Sequence, residues 1–479
     1  MLASALQHHQ AGRLNEAEQI YRQILAMDAG HADSLHLLGM IAYQVQRYEV
    51  AVEMIRRAIA IDNDNASYHS NLGNVYQTQG QLDEAVASYV RALALMPDNA
   101  GVYFNLGSAL QSQDKLDEAI ACYERVLAIN PDHAKAHYKL GCVLHALGRL
   151  DEALARYGKV LELLPGEVEA AFSQALAQLL HGDFTPGWLN FEWRWQSSYQ
   201  NTPRRTYRQP LWQGEKLASG RLFIWGEQGV GDEIMFAGLI PDVVRTGNRC
   251  LLDCDARLKP LFARSFPGVE LVSGCDPERN PELDIAAHLP SGSLPGLFRT
   301  TSAAFAYTTS PYLIADSQER ERFRARYTDG RRRIGLAWHT RNQKTGSYRS
   351  IDLSLFAPLF AGNDIRWVSL QYGEHDELEH QAAAAHAPLL VDRSVDQLSN
   401  IDLFAAQIAA MDLVITIDNS TAHLAGALGV PVWVLLPSAP DWRWLQTRED
   451  SPWYPSMRLF RQTTRGDWCS VVQKIQDAL

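Results

Sequence analysis

Glycines at Gly39, Gly73, Gly107 and Gly141 stand 34 residues apart, and Ala17, Ala51, Ala85, Ala119 and Ala153 keep the same interval. Tyr21, Ile55, Tyr89, Tyr123 and Tyr157 follow it too, while Pro97, Pro131 and Pro165 close three of the units. So strict a period rules out a single closed core for this part of the chain. Each repeat is one supersecondary unit whose apolar face stays bare until a neighbour stacks on it, so stability is a sum of neighbouring interfaces. The residue types describe the unit. Small Gly and Ala let two antiparallel helices approach closely, the aromatic ring fills the space beside them, and proline ends the second helix because it cannot continue the hydrogen-bond ladder.

This pattern resembles the tetratricopeptide repeat over residues 1–167, which implies an all-α solenoid of five helix pairs. Residues 168–220 read as capping helices and a linker. Phe172, Leu176, Leu179, Phe184, Trp188, Phe191, Trp193 and Trp195 form a degenerate last unit, aromatic enough to dock on another domain, and turn formers gather after residue 196. In the repeat architecture the first helices line a concave groove, where Asn71, Asn74 and Asn105 fall. They resemble, in fragmentary form, the asparagine ladder with which O-linked N-acetylglucosamine transferases hold peptide backbones; Leu37 and Lys139 interrupt it. An amide offers both donor and acceptor to an extended chain without reading its sequence. The resemblance therefore implies that an acceptor protein lies in the groove.

The chain of 479 residues has a formal net charge of -11 and no basic run, which argues against a nucleic-acid partner. Its six cysteines (122, 142, 250, 254, 275, 469) form neither a Cys-x-x-Cys pair nor a zinc-type spacing, which fits a reducing compartment. No signal core is evident, and no apolar stretch reaches the ~18 to 20 residues that cross a bilayer. These features predict a cytoplasmic protein without a membrane span.

A second architecture begins near Arg221. The strand-like run Arg221–Trp225, a glycine loop ending in Asp232 and Glu233, and a helix-like run from Ile234 open a Rossmann-type unit. The full G-x-G-x-x-G fingerprint is absent, which excludes NAD or FAD. From Arg333 a second series follows, with runs at 334–338, 365–370, 413–417 and 430–436 that are apolar on both faces, as buried parallel strands are. After Ile417 come Asp418, Asn419, Ser420 and Thr421, a polar turn into a short helix that carries His423. A helix opening with Ser and Thr offers free N–H groups and hydroxyls at its positive end, which suits a diphosphate. Lys344 and Arg349, in a polar loop at the carboxyl edge of the sheet, are candidates to neutralise it. Gln371 is placed either to contact a base or ribose or to satisfy its own loop. Asp402 reads as a helix cap, and the tryptophans at 442, 444 and 453 as packing between lobes.

Gly231-Asp232 resembles the Gly-Asp of bacterial heptosyltransferases, and Asp418–Ala427 resembles their donor-phosphate motif, with Asn419-Ser420 in place of the usual Thr-Gly or Ser-Gly. The resemblance implies a GT-B fold of two facing Rossmann-like lobes, 221–325 on the acceptor side and 326–479 on the nucleotide-sugar side. Together with the repeats, the layout resembles bacterial repeat-bearing glycosyltransferases such as those acting on flagellin. It implies protein O-glycosylation, with Asp418, Asn419, Ser420, Thr421 and His423 holding the donor. Asp232 is then either the base that takes the acceptor proton or a helix cap, with Glu233 in reserve. No Asp-x-Asp metal motif is evident, so turnover without metal or cofactor is expected. Two alternatives stand beside this reading: a heptosyltransferase-like enzyme acting on a lipid-linked glycan, and a non-catalytic repeat adaptor.

Overall fold

The computed structural model describes residues 1–198, 203–308, 310–342, 346–362 and 364–479. It divides into two compact units, Met1–Ala170 and Ala171–Leu479.

The first unit is a paired-helix solenoid. Its first helices are Leu2–Gln10, Ala32–Gln44, Ala66–Thr78, Ala100–Ser112 and Ala134–Ala146; its second helices are Leu14–Met27, Tyr48–Ile61, Leu82–Leu95, Leu116–Ile129 and Leu150–Leu163. The predicted glycine–ring contact holds the pairs together. A Cβ added to Gly73 would sit 2.6 Å from the Tyr89 ring, and one on Gly141 would sit 2.7 Å from Tyr157. Four first helices also share a periodic N-cap, in which His31, Asn65, Asn99 and His133 accept the N–H of Ser34, Ser67, Val102 and Ala136. The turn inside each pair needs a left-handed residue, supplied by Gly12, Gly80 and Gly148 but also by Gln46 and Asp114, both at φ 62°. Successive first helices approach one another more closely than successive second helices do, so the first helices form the inner side of the curve.

The second unit is α/β. One parallel sheet has the order β3-β2-β1-β4, from β1 (Arg221–Trp225), β2 (Cys250–Asp253), β3 (Glu270–Val272) and β4 (Ile285–Pro290). The other has the order β10-β9-β8-β5-β6-β7, from β5 (Arg332–Ala337), β6 (Ile365–Ser369), β7 (Leu389–Leu390), β8 (Leu413–Ile417), β9 (Val432–Leu436) and β10 (Met457–Arg461). All its pairings are parallel, and β8 is buried along its whole length, which explains its unbroken apolar run. The order reverses between β5 and β8, and between β1 and β4. Ligands of open α/β sheets bind outside the carboxyl ends of strands at such reversals. This strand order defines an α/β unit but does not by itself identify a GT-B glycosyltransferase, since doubly wound sheets host many unrelated functions.

The aromatic segment docks on this unit. Trp188 meets Trp442 edge-on at 5.3 Å and donates to the Arg299 carbonyl at 2.9 Å. Arg194, fully buried, donates to both carboxylate oxygens of Glu227 at 2.9 Å, and Glu227 in turn accepts the Gly292 N–H at 2.8 Å. Asp402 does not cap its helix, contrary to expectation. Asn400 is the cap, and Asp402 pairs with Arg264 instead.

Helix propensity alone favours Ala over Gly by ~1 kcal/mol, yet a methyl group against a rigid ring overpacks by about 1–3 kcal/mol. Gly73→Ala is therefore expected to lower the melting temperature in thermal denaturation. An unchanged or raised value would mean that the helices do not approach this closely.

Candidate functional site

At the carboxyl ends of β5 and β8 lies a cavity of about 590 Å³ whose lining includes Asp232, Arg341, Arg349, Asp418, Ser420 and Arg443. Its walls come from both sheets of the α/β unit. The helix Val230–Ala237, which follows β1, faces the helix Ser420–Ala427, which follows β8.

Ionic pairing dominates the chemistry here. Asp232 sits in the first turn of its helix, accepts the Gly229 N–H at 3.4 Å as a cap, and pairs with Arg443, which also reaches Asp441 at 2.6 Å. Asp232 thus caps its helix, and the same carboxylate links the helix after β1 to the segment after β9. Arg349 donates to the Asp418 carbonyl at 2.6 Å and lies 2.7 Å from its carboxylate. Burial holds the Asp418 carboxyl above its usual range. Burial opposes ionisation of Asp441 as well, but the guanidiniums of Arg443 and Arg349 win and hold it below. Among the described residues the lining carries three arginines and three aspartates, so the cavity is polar.

Asn419 caps the helix Ser420–Ala427 by accepting the Ala422 N–H at 3.2 Å; its Nδ2 and the Thr421 hydroxyl are buried without partners among the described residues. Ser420 and His423 line the cavity, whereas Thr421 does not. Burial, then the nearby Arg443, pushes His423 down to about 3, so the ring is neutral. It stacks on Trp444 at 5.1 Å and bonds the Tyr454 hydroxyl at 2.9 Å. Gln371 takes the loop-satisfying alternative. Its Oε1 accepts the N–H groups of Trp338 and His339 at 2.9 Å, its Nε2 donates to two carbonyls, and it does not line the cavity. Lys344 lies outside the described residues. Glu233 turns away from the cavity to accept the Asp255 N–H at 2.9 Å, and burial pushes its carboxyl up to about 7. Among the described residues no group of three or more His, Cys, Asp or Glu gathers as metal ligands. Arg443 escaped the sequence reading because Trp442 and Trp444 were read as packing; a charge set between two tryptophans was the available signal.

The second site is the inner face of the repeats. Asn71 donates to His36 Nε2 at 2.9 Å, Asn74 to Asn71 at 3.3 Å, and Asn105 to Asn74 at 2.9 Å. The three asparagines thus form one hydrogen-bonded row across successive first helices. The Tyr89 hydroxyl reaches the Asn74 oxygen at 2.8 Å, which fixes its amide. Burial pushes His36 down to about 4, so its Nε2 is free to accept.

Residues 31–98, 64–129 and 98–165 each match the family model of the tetratricopeptide repeat, and the first unit is such a solenoid. The protein FlbA of Caulobacter vibrioides is 32% identical over 333 residues, covering 64% of this chain and 54% of the relative. The chain thus spans about half the length of that curated relative. The match covers more of the chain than the repeat unit alone contains, so it extends into the α/β unit. Similar solved structures include MamA (28% identity, 34% of this chain, 96% of that one, TM-score 0.32). YrrB, described as a TPR protein with an unusual peptide-binding site, is 23% identical over 36% of this chain and 90% of its own, with TM-score 0.34. Pseudomonas aeruginosa pilF is 20% identical over 41% and 87%, with TM-score 0.37.

These comparisons overturn the expected nucleotide-sugar glycosyltransferase, and with it protein O-glycosylation, flagellin as acceptor and the heptosyltransferase-like alternative. The curated relative FlbA, whose match extends into the α/β unit, is not described as a glycosyltransferase. The misleading signal was a short polar turn that many doubly wound sheets place at the same edge. Among the described residues no helix is long and apolar enough to cross a membrane.

Two outcomes test the cavity. Arg443→Met leaves Asp232 and Asp441 close together without their shared cation, and is expected to cost about 3–5 kcal/mol in chemical denaturation. Glu233 holds its proton in the folded state up to about 7 against 4.5 for the ordinary group. Its ionisation therefore removes stability as pH rises from 4.5 through 7. Glu233→Gln is expected to melt higher than the parent at pH 8 and at a similar temperature near pH 4, which a thermal scan at both values checks.

Proposed function

We propose that the chain is a non-catalytic adaptor whose repeat groove holds an extended segment of a partner protein. The observation that carries this reading is the hydrogen-bonded row Asn71–Asn74–Asn105 on the inner side of the solenoid. An extended peptide presents an N–H and a C=O at every residue, about 3.3 Å apart along its length, and each amide side chain has a further donor or acceptor to give it. The row is oriented from behind by His36 and Tyr89, so little entropy is lost when a peptide binds. We read the two parallel sheets as two Rossmann-like lobes fastened together by Arg443 and Asp232, with a binding rather than a catalytic part in the adaptor.

The test uses linear peptides selected by display on the intact chain, with affinity measured by fluorescence anisotropy. Each hydrogen bond to the groove contributes ~0.5–1.5 kcal/mol. Asn71→Ala combined with Asn105→Ala is therefore expected to weaken a selected peptide about tenfold while leaving helix content by circular dichroism unchanged. Unaltered affinity in that double variant would contradict the proposal.

A further inference from the structure

The edge strand β10 and the C-terminal helix Trp468–Ala478 enclose a second cavity of about 590 Å³, lined in part by Arg448, Arg458, Arg461, Thr463 and Lys474. Two acidic residues, Glu449 and Asp477, also line it. Arg448 is already paired with Asp450 at 2.6 Å. Arg458, Arg461 and Lys474 have no carboxylate partner among the described residues.

Arg461 is the telling group. Its guanidinium donates to two carbonyls, Arg448 at 3.0 Å and Trp444 at 2.7 Å, while Nη1 is buried with no acceptor among the described residues. Burial without a compensating carboxylate pushes this arginine down to about 10. A buried charge that lacks a counter-ion is costly. The Lys474 ammonium is drawn to the same place, donating to the Arg461 carbonyl at 3.2 Å. Arg458, which also lines the pocket, lies over the Phe460 ring at 4.7 Å.

We propose that this pocket is a binding site for a small molecule bearing a phosphate group, separate from the cavity between the lobes. Guanidinium, ammonium and hydroxyl groups from a strand, a helix and a loop present donors from several directions, which suits a tetrahedral oxyanion with many acceptors better than a planar carboxylate. The volume lies in the range of small-molecule sites, ~300–1,000 Å³, and exceeds what a bare ion fills. The remainder of the ligand therefore rests against Leu459, Phe460 and Ala478.

The test is the thermal stability of the full chain titrated with inorganic phosphate, pyrophosphate and ribose 5-phosphate, each against chloride at equal ionic strength. A saturable rise in melting temperature is expected, largest with the sugar phosphate. Arg458→Gln and Lys474→Gln should each raise the apparent Kd at least fivefold, while Arg341→Gln in the interlobe cavity leaves it unchanged. Two results would overturn the proposal. One is a response to phosphate no greater than to chloride; the other is a response that survives Lys474→Gln but disappears with Arg341→Gln, which would put the anion between the lobes.

Discussion

The contact between the glycine of a first helix and the tyrosine ring of its partner helix, made at Gly73, Gly107 and Gly141, sets everything else in the solenoid. At Gly73 the Tyr89 ring stands where a side chain would be, so the two helices lie as close as backbones and one ring allow. The same tyrosine then turns its hydroxyl to Asn74 and Gln77, each 2.8 Å away. Packing and binding are joined in one residue. The ring spaces the helices, and the hydroxyl aims the amide that a partner would meet. Because each unit repeats the spacing, Asn71, Asn74 and Asn105 come within hydrogen-bond reach of one another across 34 residues of chain.

The interlobe cavity follows a different logic. Its cations and carboxylates are arranged to satisfy each other, with Arg443 shared by Asp232 and Asp441 and Arg349 taken by Asp418. Charges so paired hold two lobes at a fixed separation, and removing one partner leaves the other uncompensated. The pocket beside β10 differs, since its half-buried Arg461 bonds only to carbonyls among the described residues.

How much was legible in the sequence depended on whether the signal was periodic. The solenoid was readable because a 34-residue repeat of Gly, Ala and Tyr has one packing solution, and the run 413–417 was readable as a buried strand because all of its side chains are apolar. The histidine caps at His31 and His133 and the left-handed Gln46 and Asp114 were not, because the period fixes the backbone position while the residue there varies. β7 and β10 went unread: the first is two residues long, and the second breaks its apolar run with Arg458 and Arg461 at a sheet edge. Function was the least legible. Asp232 and the residues after Ile417 carry the right types for transfer chemistry, but residue type does not say whether a carboxylate is open or already bound to Arg443, and that depends on residues more than 200 positions away.

Hydrogen exchange of the intact chain, with and without a selected linear peptide, addresses the groove most directly. If an extended backbone lies along the asparagine row, exchange slows in the first helices Ala66–Thr78 and Ala100–Ser112 when peptide is present. Protection confined to the second helices, or to residues 171–479, would contradict it.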